Sequence, residues 1–257
     1  MGERSSPARR RIIAASLALA IAAGRTAAST PGPYEMGRAA LRQGDFTAAV
    51  THLERAVAES PRAADSHVWL GNAYAWMAAR VPMAEKPRWG RLCLASYRRA
   101  LALEPDHVDA HFSLMNYYRH VPAVFGGGLA RAWAQAGEIG RRDPARGAQA
   151  RALLLEQEGR GAEALQVILD AAAANPGNYA LNFLLGRLAA AQGRNLAEGE
   201  AALRRCLDLE PTESSQGPAE IQRLRLQIAQ RRQTMDIAVD DSSAKSPPAN
   251  PGHAHIQ

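Results

Sequence analysis

A short pattern that ends in proline recurs five times along the chain. In each case a run rich in alanine and leucine leads to a proline, and the five prolines are Pro61, Pro105, Pro144, Pro176 and Pro211. The spacing between successive prolines scatters around roughly 34 residues, which is typical of arrays of helical repeats. A single unit of this size cannot bury its own apolar face, so neighbouring units must stack to form a core. The recurrence therefore predicts an extended stack of units.

The composition favours helices over sheets. Alanine supplies 54 of the 257 residues, aromatic residues make up only 5% of the chain, and there are two cysteines. Alanine is the best helix former and packs readily between close helices. A collagen-type fibre, a disulfide-rich scaffold and a β-sandwich all fit this composition poorly. We therefore expect an all-α fold.

Small residues recur at one position in the first half of the units. Gly37, Gly71, Ala152 and Gly186 occupy it in the first, second, fourth and fifth units. A small side chain at this position allows a partner helix to approach closely. The period predicts five helix-turn-helix units at 30–63, 64–107, 108–144, 145–178 and 179–213. The second and third units carry extra residues around 80–90 and 121–128.

These residues together resemble the tetratricopeptide repeat family. The first unit has Gly44-Asp45-Phe46 before its second helix and Pro61 at its end, and the second unit has Leu70-Gly71 and Tyr74 in its first helix. The resemblance implies a right-handed α-solenoid whose first helices line a concave groove. It also implies that this groove binds a peptide segment of another protein, without catalysis.

The sequence after the fifth unit divides into two parts. Within 214–235, Ile221, Leu224 and Ile228 recur at helical spacing, and the remaining positions are rich in Arg and Gln. This pattern predicts a C-terminal capping helix, because the last repeat of an array needs a polar outer face. Residues 236–257 show no periodicity and are predicted to be disordered.

The first 29 residues have the three parts of a secretory signal peptide. A basic stretch is followed by an apolar run at 12–23 and then by small residues, and the run is shorter than the roughly 20 residues that span a bilayer. We expect an exported protein, periplasmic or secreted. The alternative is an uncleaved segment that anchors the protein in the inner membrane, and this is the only case in which we expect membrane contact.

The basic character of the chain belongs mostly to this segment. The net charge is +6, and residues 1–29 hold five arginines and one glutamate, so four of the six positive charges lie there. The remaining chain is nearly neutral, which removes the main argument for a nucleic-acid partner. We expect no nucleic acid to bind.

No known catalytic motif is present in the sequence. It has no Gly-x-Ser-x-Gly elbow, no His-Glu-x-x-His zinc helix and no phosphate-binding loop, and we expect no enzymatic activity, cofactor or metal. His107, Asp109 and His111 have a spacing that would suit a metal, but the repeat register favours structural histidines. Cys93 and Cys206 lie three repeats apart, so we predict no disulfide between them.

The repeat register identifies the first-helix residues that face the predicted groove. Aromatic rings there provide contact area, and Asn and Arg can pair with a peptide backbone or a carboxylate. The candidate groove residues are Tyr34, Arg38, Asn72, Trp76, Phe112, Asn116, Arg119, Phe183 and Arg187, with Arg42, Val68, His120, Gln149 and Leu153 beside them. For Trp76 and Phe112 the alternative is packing in the core.

The function predicted from these features is that of an exported scaffold or adaptor that binds a protein or peptide segment in its concave groove. One alternative is an envelope assembly or secretion factor that docks a complex through its convex face. Another is a binder of a cell-wall polymer or other polyanion. The family's chaperone-binding branch clamps a C-terminal carboxylate with lysines, and here Tyr34, Val68 and Phe112 fill those positions, so we do not expect that particular ligand.

Overall fold

The structure is a computed structural model that describes residues 31–209 and 217–244. The predicted signal peptide at 1–29 and the tail beyond Ala244 lie outside the described residues. In the described ranges the chain forms eleven α-helices and no β-strand, which confirms the predicted all-α class. No helix in this part of the chain is long and apolar enough to cross a membrane.

The helices follow one another with short connections. They are α1 (Pro33–Gln43), α2 (Phe46–Glu59), α3 (Ala64–Arg80), α4 (Lys86–Leu103), α5 (Val108–His120), α6 (Leu129–Arg142), α7 (Pro144–Gln157), α8 (Gly161–Ala174), α9 (Tyr179–Gln192), α10 (Leu196–Asp208) and α11 (Pro218–Ala244). A short 3₁₀ turn, Ala123–Phe125, lies between α5 and α6.

The first ten helices form five consecutive pairs. Each helix packs against its neighbours in sequence, and α3 also packs against α1 and α5, as α7 does against α5 and α9. The odd-numbered helices therefore form one layer and the even-numbered helices the other. This arrangement is an α-solenoid, in which successive apolar core clusters lie between the two layers.

Local sequence signals explain where the helices begin and end. Gly44 adopts a left-handed conformation (φ 77°) that ends α1, and the carboxylate of Asp45 then accepts a hydrogen bond from the N–H of Ala48 at 2.9 Å to cap α2. Asn178 caps α9 in the same way through the N–H of Leu181. Asp143 caps α7, whose first residue is Pro144, so this proline opens the fourth pair.

Three glycines allow the two helices of a pair to approach closely. A Cβ atom added at Gly37 would lie 2.5 Å from Cγ of Leu53, one at Gly71 would lie 2.4 Å from a ring carbon of Tyr97, and one at Gly186 would lie 2.2 Å from Cγ of Leu203. In each case the second-helix side chain occupies the space that a Cβ would need. The small residues recognised in the sequence therefore set the distance between the two layers.

The last helix is longer than the sequence suggested. Ile221, Leu224 and Ile228 are buried, and α11 packs against α9 and α10, where a terminal cap would lie. The predicted end at 235 is too early, because the helix continues to Ala244 through the first part of the segment predicted to be disordered. Residues 219–244 contain no glycine or proline, so no helix-breaking residue interrupts a helix that has formed in this segment.

The cysteines are both free and buried, in agreement with the absence of a predicted disulfide. Burial raises the pKa of the Cys93 thiol to about 12 and that of the Cys206 thiol to about 11. They belong to different core clusters, Cys93 near the start of the array and Cys206 near its end. Both thiols therefore act as small apolar groups and react slowly with reagents in solution.

We predict that Gly186→Ala destabilises the protein, because the new methyl group would overlap Leu203, which is fully buried and cannot move aside freely. The expected loss is about 1–3 kcal/mol in the free energy of unfolding, measured by urea denaturation followed by circular dichroism. Gly137→Ala in α6 is the matched control, since no atom lies within 4 Å of its new methyl group. It should leave the stability unchanged or raise it by about 0.4–1 kcal/mol. Equal effects of both substitutions would contradict the proposed role of the close helix contact.

Candidate functional site

A groove of about 800 Å³ lies on the layer of first helices, at the third to fifth repeats. Among the described helices, α5, α7 and α9 form its wall. The lining residues are Phe112, Arg119, His120, Arg146, Gln149, Leu153, Glu156, Gln157, Tyr179, Ala180, Phe183, Leu184 and Arg187. The groove therefore crosses three neighbouring repeats, and its size falls in the range of ordinary ligand sites.

Aromatic rings line the groove on α5 and on α9. The guanidinium carbon of Arg146 lies 4.0 Å from the centre of the Phe112 ring, which holds this cation over the ring face. The rings of Tyr179 and Phe183 are stacked nearly parallel, with centroids 6.4 Å apart. Phe112 and Phe183 are partly buried, so both rings keep exposed area that a bound side chain could cover.

Two of the three arginines in the groove already contact carboxylates. Arg187 binds Glu156 through two hydrogen bonds, of 2.6 and 3.1 Å, across the boundary between the fourth and fifth repeats. Arg146 donates to Asp109 at 3.1 Å and to the side-chain oxygen of Gln149 at 3.0 Å. These contacts fix both guanidinium groups and neutralise most of their charge within the protein.

Arg119 is the exception among the groove arginines. Its Nε and Nη1 atoms are buried, and neither has a hydrogen-bond partner among the described residues. Burial lowers the pKa of Arg119, the nearby Arg187 lowers it further, and Glu156 acts in the opposite direction. The side chain nevertheless stays charged, because the pKa of arginine is far above neutrality. The structure thus holds a partly desolvated cation with unused donors at the groove.

His120, the next residue along the chain, is affected by this cation. Burial lowers the pKa of His120, and the positive charge of Arg119 lowers it further. The imidazole is therefore neutral at pH 7 and presents one donor and one acceptor at the edge of the groove.

The groove brings together part of the candidate set from the sequence. Phe112, Arg119, Phe183 and Arg187 line it, and so do the flanking candidates His120, Gln149 and Leu153. The other five candidates do not line this groove: Tyr34, Arg38, Asn72, Trp76 and Asn116.

The first two repeats use their candidates for packing contacts. The guanidinium of Arg38 lies over the rings of Tyr34 and Trp69, at 5.4 and 4.8 Å from their centres. The side-chain oxygen of Asn72 accepts hydrogen bonds from the hydroxyl groups of Tyr97 at 2.8 Å and Ser113 at 3.3 Å. Asn72 therefore ties α3 to α4 and α5.

Trp76 lies at the end of α3, away from this groove. Its ring stacks on that of Phe46 with centroids 5.3 Å apart, yet 52% of the residue surface is exposed. It belongs neither to the core nor to the groove wall.

Several groove residues were not predicted from the sequence. Arg146 lies three residues before Gln149 and Glu156 three residues after Leu153, so both were one helical turn from residues that the register had already placed in the groove. Extending the predicted groove face of α7 by one helical turn in each direction would have included both residues. The remaining lining residues that were missed are Gln157, Tyr179, Ala180 and Leu184.

The histidines considered as metal ligands make contacts within the protein. His107 caps α5 through the N–H of Ala110, and its Nε2 atom lies 3.1 Å from Asp65. The ring nitrogens of His111, which is buried, lie 2.7 Å from the side-chain oxygen of Gln135 and 2.9 Å from the carbonyl oxygen of Pro105. No cluster of three or more potential metal ligands occurs in the described ranges.

Comparison with known proteins agrees with this architecture. The sequence profile of the tetratricopeptide repeat family matches residues 34–81 and 150–214, which lie in the first two and last two repeats. The match supports the assignment of these repeats to the tetratricopeptide repeat family. Repeats of this family generally act as scaffolds for contacts between proteins. No curated protein matches the sequence.

Several solved structures share the fold. A thermophilic tetratricopeptide repeat protein of Thermus thermophilus is 21% identical, with a TM-score of 0.55, and the match covers 77% of this chain and 96% of that one. PilF of Pseudomonas aeruginosa is 16% identical, with a TM-score of 0.50 and coverages of 81% and 86%. PilW, described as a widely conserved type IV pilus biogenesis factor, is 15% identical, with a TM-score of 0.51 and coverages of 84% and 93%. At these identities the likeness concerns the fold alone.

We predict that Asn72→Ala lowers the stability of the protein. The substitution leaves the buried hydroxyl of Tyr97 without its acceptor, at an expected cost of about 1–3 kcal/mol in a urea denaturation experiment. Asn116→Ala is the matched control, because Asn116 holds the equivalent register position in the next repeat and forms no hydrogen bond with described residues. It should change the stability by less than about 0.5 kcal/mol. A small and equal effect of both substitutions would show that Asn72 has no structural role.

Proposed function

We propose that the protein is an adaptor whose groove across α5, α7 and α9 binds a segment of another protein, with an acidic group of that segment at Arg119. The observation that carries this proposal is the state of Arg119, a partly buried cation whose Nε and Nη1 donors have no partner among the described residues. A carboxylate from a partner, bound in the groove next to Arg119, would supply the missing counter-charge.

The aromatic residues of the groove suit an apolar side chain next to that acidic group. Phe112 and Phe183 both line the cavity, on the two outer helices of its wall. Aromatic rings that are already held by neighbours, as Phe183 is by Tyr179, contribute contact area at little entropic cost. The preferred segment is therefore one in which a carboxylate and an apolar side chain are close together.

The charge distribution favours a single acidic group over a polyanion. Arg187 is engaged by Glu156, and Arg146 contacts Asp109, so Arg119 is the groove arginine without a carboxylate partner among the described residues. Binding of nucleic acid or of an anionic polymer relies on several cations that each neutralise one phosphate or carboxylate. The groove offers one such cation, which supports the choice of a protein segment.

We also propose that the protein acts after export. The three-part pattern of residues 1–29 supports this, with the uncleaved inner-membrane anchor as the alternative. PilW shares the fold, and its description as a pilus biogenesis factor gives one setting in which such repeats work. The competing arrangement, in which an envelope complex docks on the convex face, predicts that groove substitutions leave binding intact.

The test is an array of synthetic peptides that combine leucine or phenylalanine with one glutamate, each paired with its glutamine counterpart. Every peptide is made both with a free C-terminus and as an amide, which separates side-chain from C-terminal carboxylates. We expect the full chain to prefer the acidic member of the pairs. Arg119→Gln should weaken that binding by about 10- to 100-fold, because a hydrogen bond to a charged group is lost.

Arg151→Gln is the matched control for this substitution. Arg151 is exposed on α7, does not line the cavity and forms no hydrogen bond or ion pair with described residues. It should bind the same peptides with unchanged affinity. If Arg119→Gln and Phe112→Ala both bind the selected peptides as well as the unaltered chain does, the groove is not the binding site.

A further inference from the structure

The largest exposed apolar side chains of the second and third repeats lie at or near the ends of their first helices. The exposed fraction is 76% for Met83, 85% for Val124 and 63% for Phe125, and Trp76 precedes them near the end of α3. Side chains this exposed contribute almost nothing to the core. Met83, Val124 and Phe125 belong to the turns at 81–85 and 121–128, which are longer than the corresponding turns of the other three repeats and do not line the groove.

These turns lie on the same edge of the solenoid. Near their beginnings, α3 and α5 are joined by Asp65 and His107 at 3.1 Å, and near their middles by Asn72 and Ser113 at 3.3 Å. Two helices with this pairing run side by side in the same direction. The turns that follow them, at 81–85 and 121–128, therefore emerge next to each other, separated by about the 8–10 Å between packed helices.

The turn that carries Val124 and Phe125 is tightly hydrogen-bonded. The N–H of Phe125 donates to the carbonyl of Pro122 at 2.9 Å, and the N–H of Gly128 donates to that of Tyr118 at 2.8 Å. A Cβ at Gly127 would lie 1.8 Å from the carbonyl oxygen of Val121, so the glycine is needed to close the turn. The backbone thus holds two apolar side chains outward in a defined position.

The segments around these two turns are strongly basic. Within 76–91 and 121–131 the cationic residues are Arg80, Lys86, Arg88, Arg91 and Arg131, and Glu85 is the only acidic residue. None of the five cations forms an ion pair with a described carboxylate. Arg80 instead lies 4.0 Å from the centre of the Phe46 ring, and Arg131 donates to the carbonyl of Gly126.

We propose that this edge is a docking surface for an anionic lipid bilayer. The surface, here the rim patch, consists of Trp76, Arg80, Met83, Lys86, Val124 and Phe125. Its apolar side chains would enter the interface between headgroups and acyl chains while the surrounding cations contact acidic headgroups. The rim patch would give the repeats a membrane contact of their own, independent of the N-terminal segment and of the groove.

The shape of the rim patch favours lipid over a protein partner. Val124 and Met83 project from two separate turns and are mostly exposed. The residues that dominate a protein–protein interface instead cluster near its centre in well-packed pockets. The headgroup region of a bilayer can enclose separate projecting side chains, because lipids rearrange around them and no complementary pocket is needed. The surplus of cations complements the negative potential of an acidic leaflet.

The test uses a dye placed on the rim patch of the full chain. Val124→Cys is labelled with an environment-sensitive fluorophore, and both native thiols stay unlabelled because they are buried and have raised pKa values. We expect a shift of the emission to shorter wavelength with vesicles of phosphatidylglycerol and phosphatidylcholine, and none with phosphatidylcholine alone. Phe125→Ser together with Met83→Ser in the labelled chain should weaken the apparent vesicle affinity by about tenfold or more.

The control is Leu226→Cys with the same label, since Leu226 is 61% exposed on α11. Its emission should not change, and Arg119→Gln should leave the shift at position 124 intact, which separates this proposal from the groove. A chain that binds the vesicles while the dye at 124 stays unchanged would show attachment through the N-terminal segment and overturn the proposal. Equal emission shifts from the labels at positions 124 and 226 would also overturn the proposal. So would an emission shift at position 124 that occurs with detergent-solubilised envelope proteins and not with vesicles, because the rim patch would then bind a protein.

Discussion

The close contact between the two helices of a repeat is the constraint on which the rest of the structure depends. At Gly37, Gly71 and Gly186 a second-helix side chain lies where a Cβ atom would otherwise be. The two layers are therefore held at a short, fixed distance, and the first helices are left free to line a surface of their own. The groove at α5, α7 and α9 exists because these three helices contact their second-layer partners on one side and present the other side to solvent.

A second contact joins three of the repeats to the turn before them. In the second, third and fifth repeats a polar side chain near the start of the first helix lies within hydrogen-bond distance of the carbonyl oxygen of the preceding proline. The pairs are His67 with Pro61 at 3.1 Å, His111 with Pro105 at 2.9 Å, and Asn182 with Pro176 at 2.8 Å. These side chains are buried, so each contact satisfies a polar group that would otherwise be costly to enclose. The histidines thus serve the stacking of the repeats.

The sequence predicted the helices well because their signals are local or periodic, and it predicted the groove only in part because groove contacts cross repeats. Asn72 and Asn116 share one register position, yet only Asn72 faces two hydroxyl groups, and the donors lie on α4 and α5. Glu156 lies in the fourth repeat, whereas its partner, Arg187, lies in the next repeat. The end of α11 was not predicted correctly because the apolar periodicity of a sequence marks only the part of a helix that is buried. The helix continues beyond its last buried residue through residues that have helical propensity but no apolar pattern.

The extra residues in the second and third repeats show how such an array can gain a new surface without losing its groove. They follow the ends of α3 and α5, so the helix contacts at Gly71 and around Leu114 are unaffected by their length. The groove depends on first-helix faces, and its unpaired cation is partly buried at Arg119. The rim patch depends on turns, and its cations are mostly exposed. Salt screens exposed charges strongly and buried charges much less. Binding at the rim patch should therefore depend more on ionic strength than binding in the groove, because the longer turns place their cations in solvent.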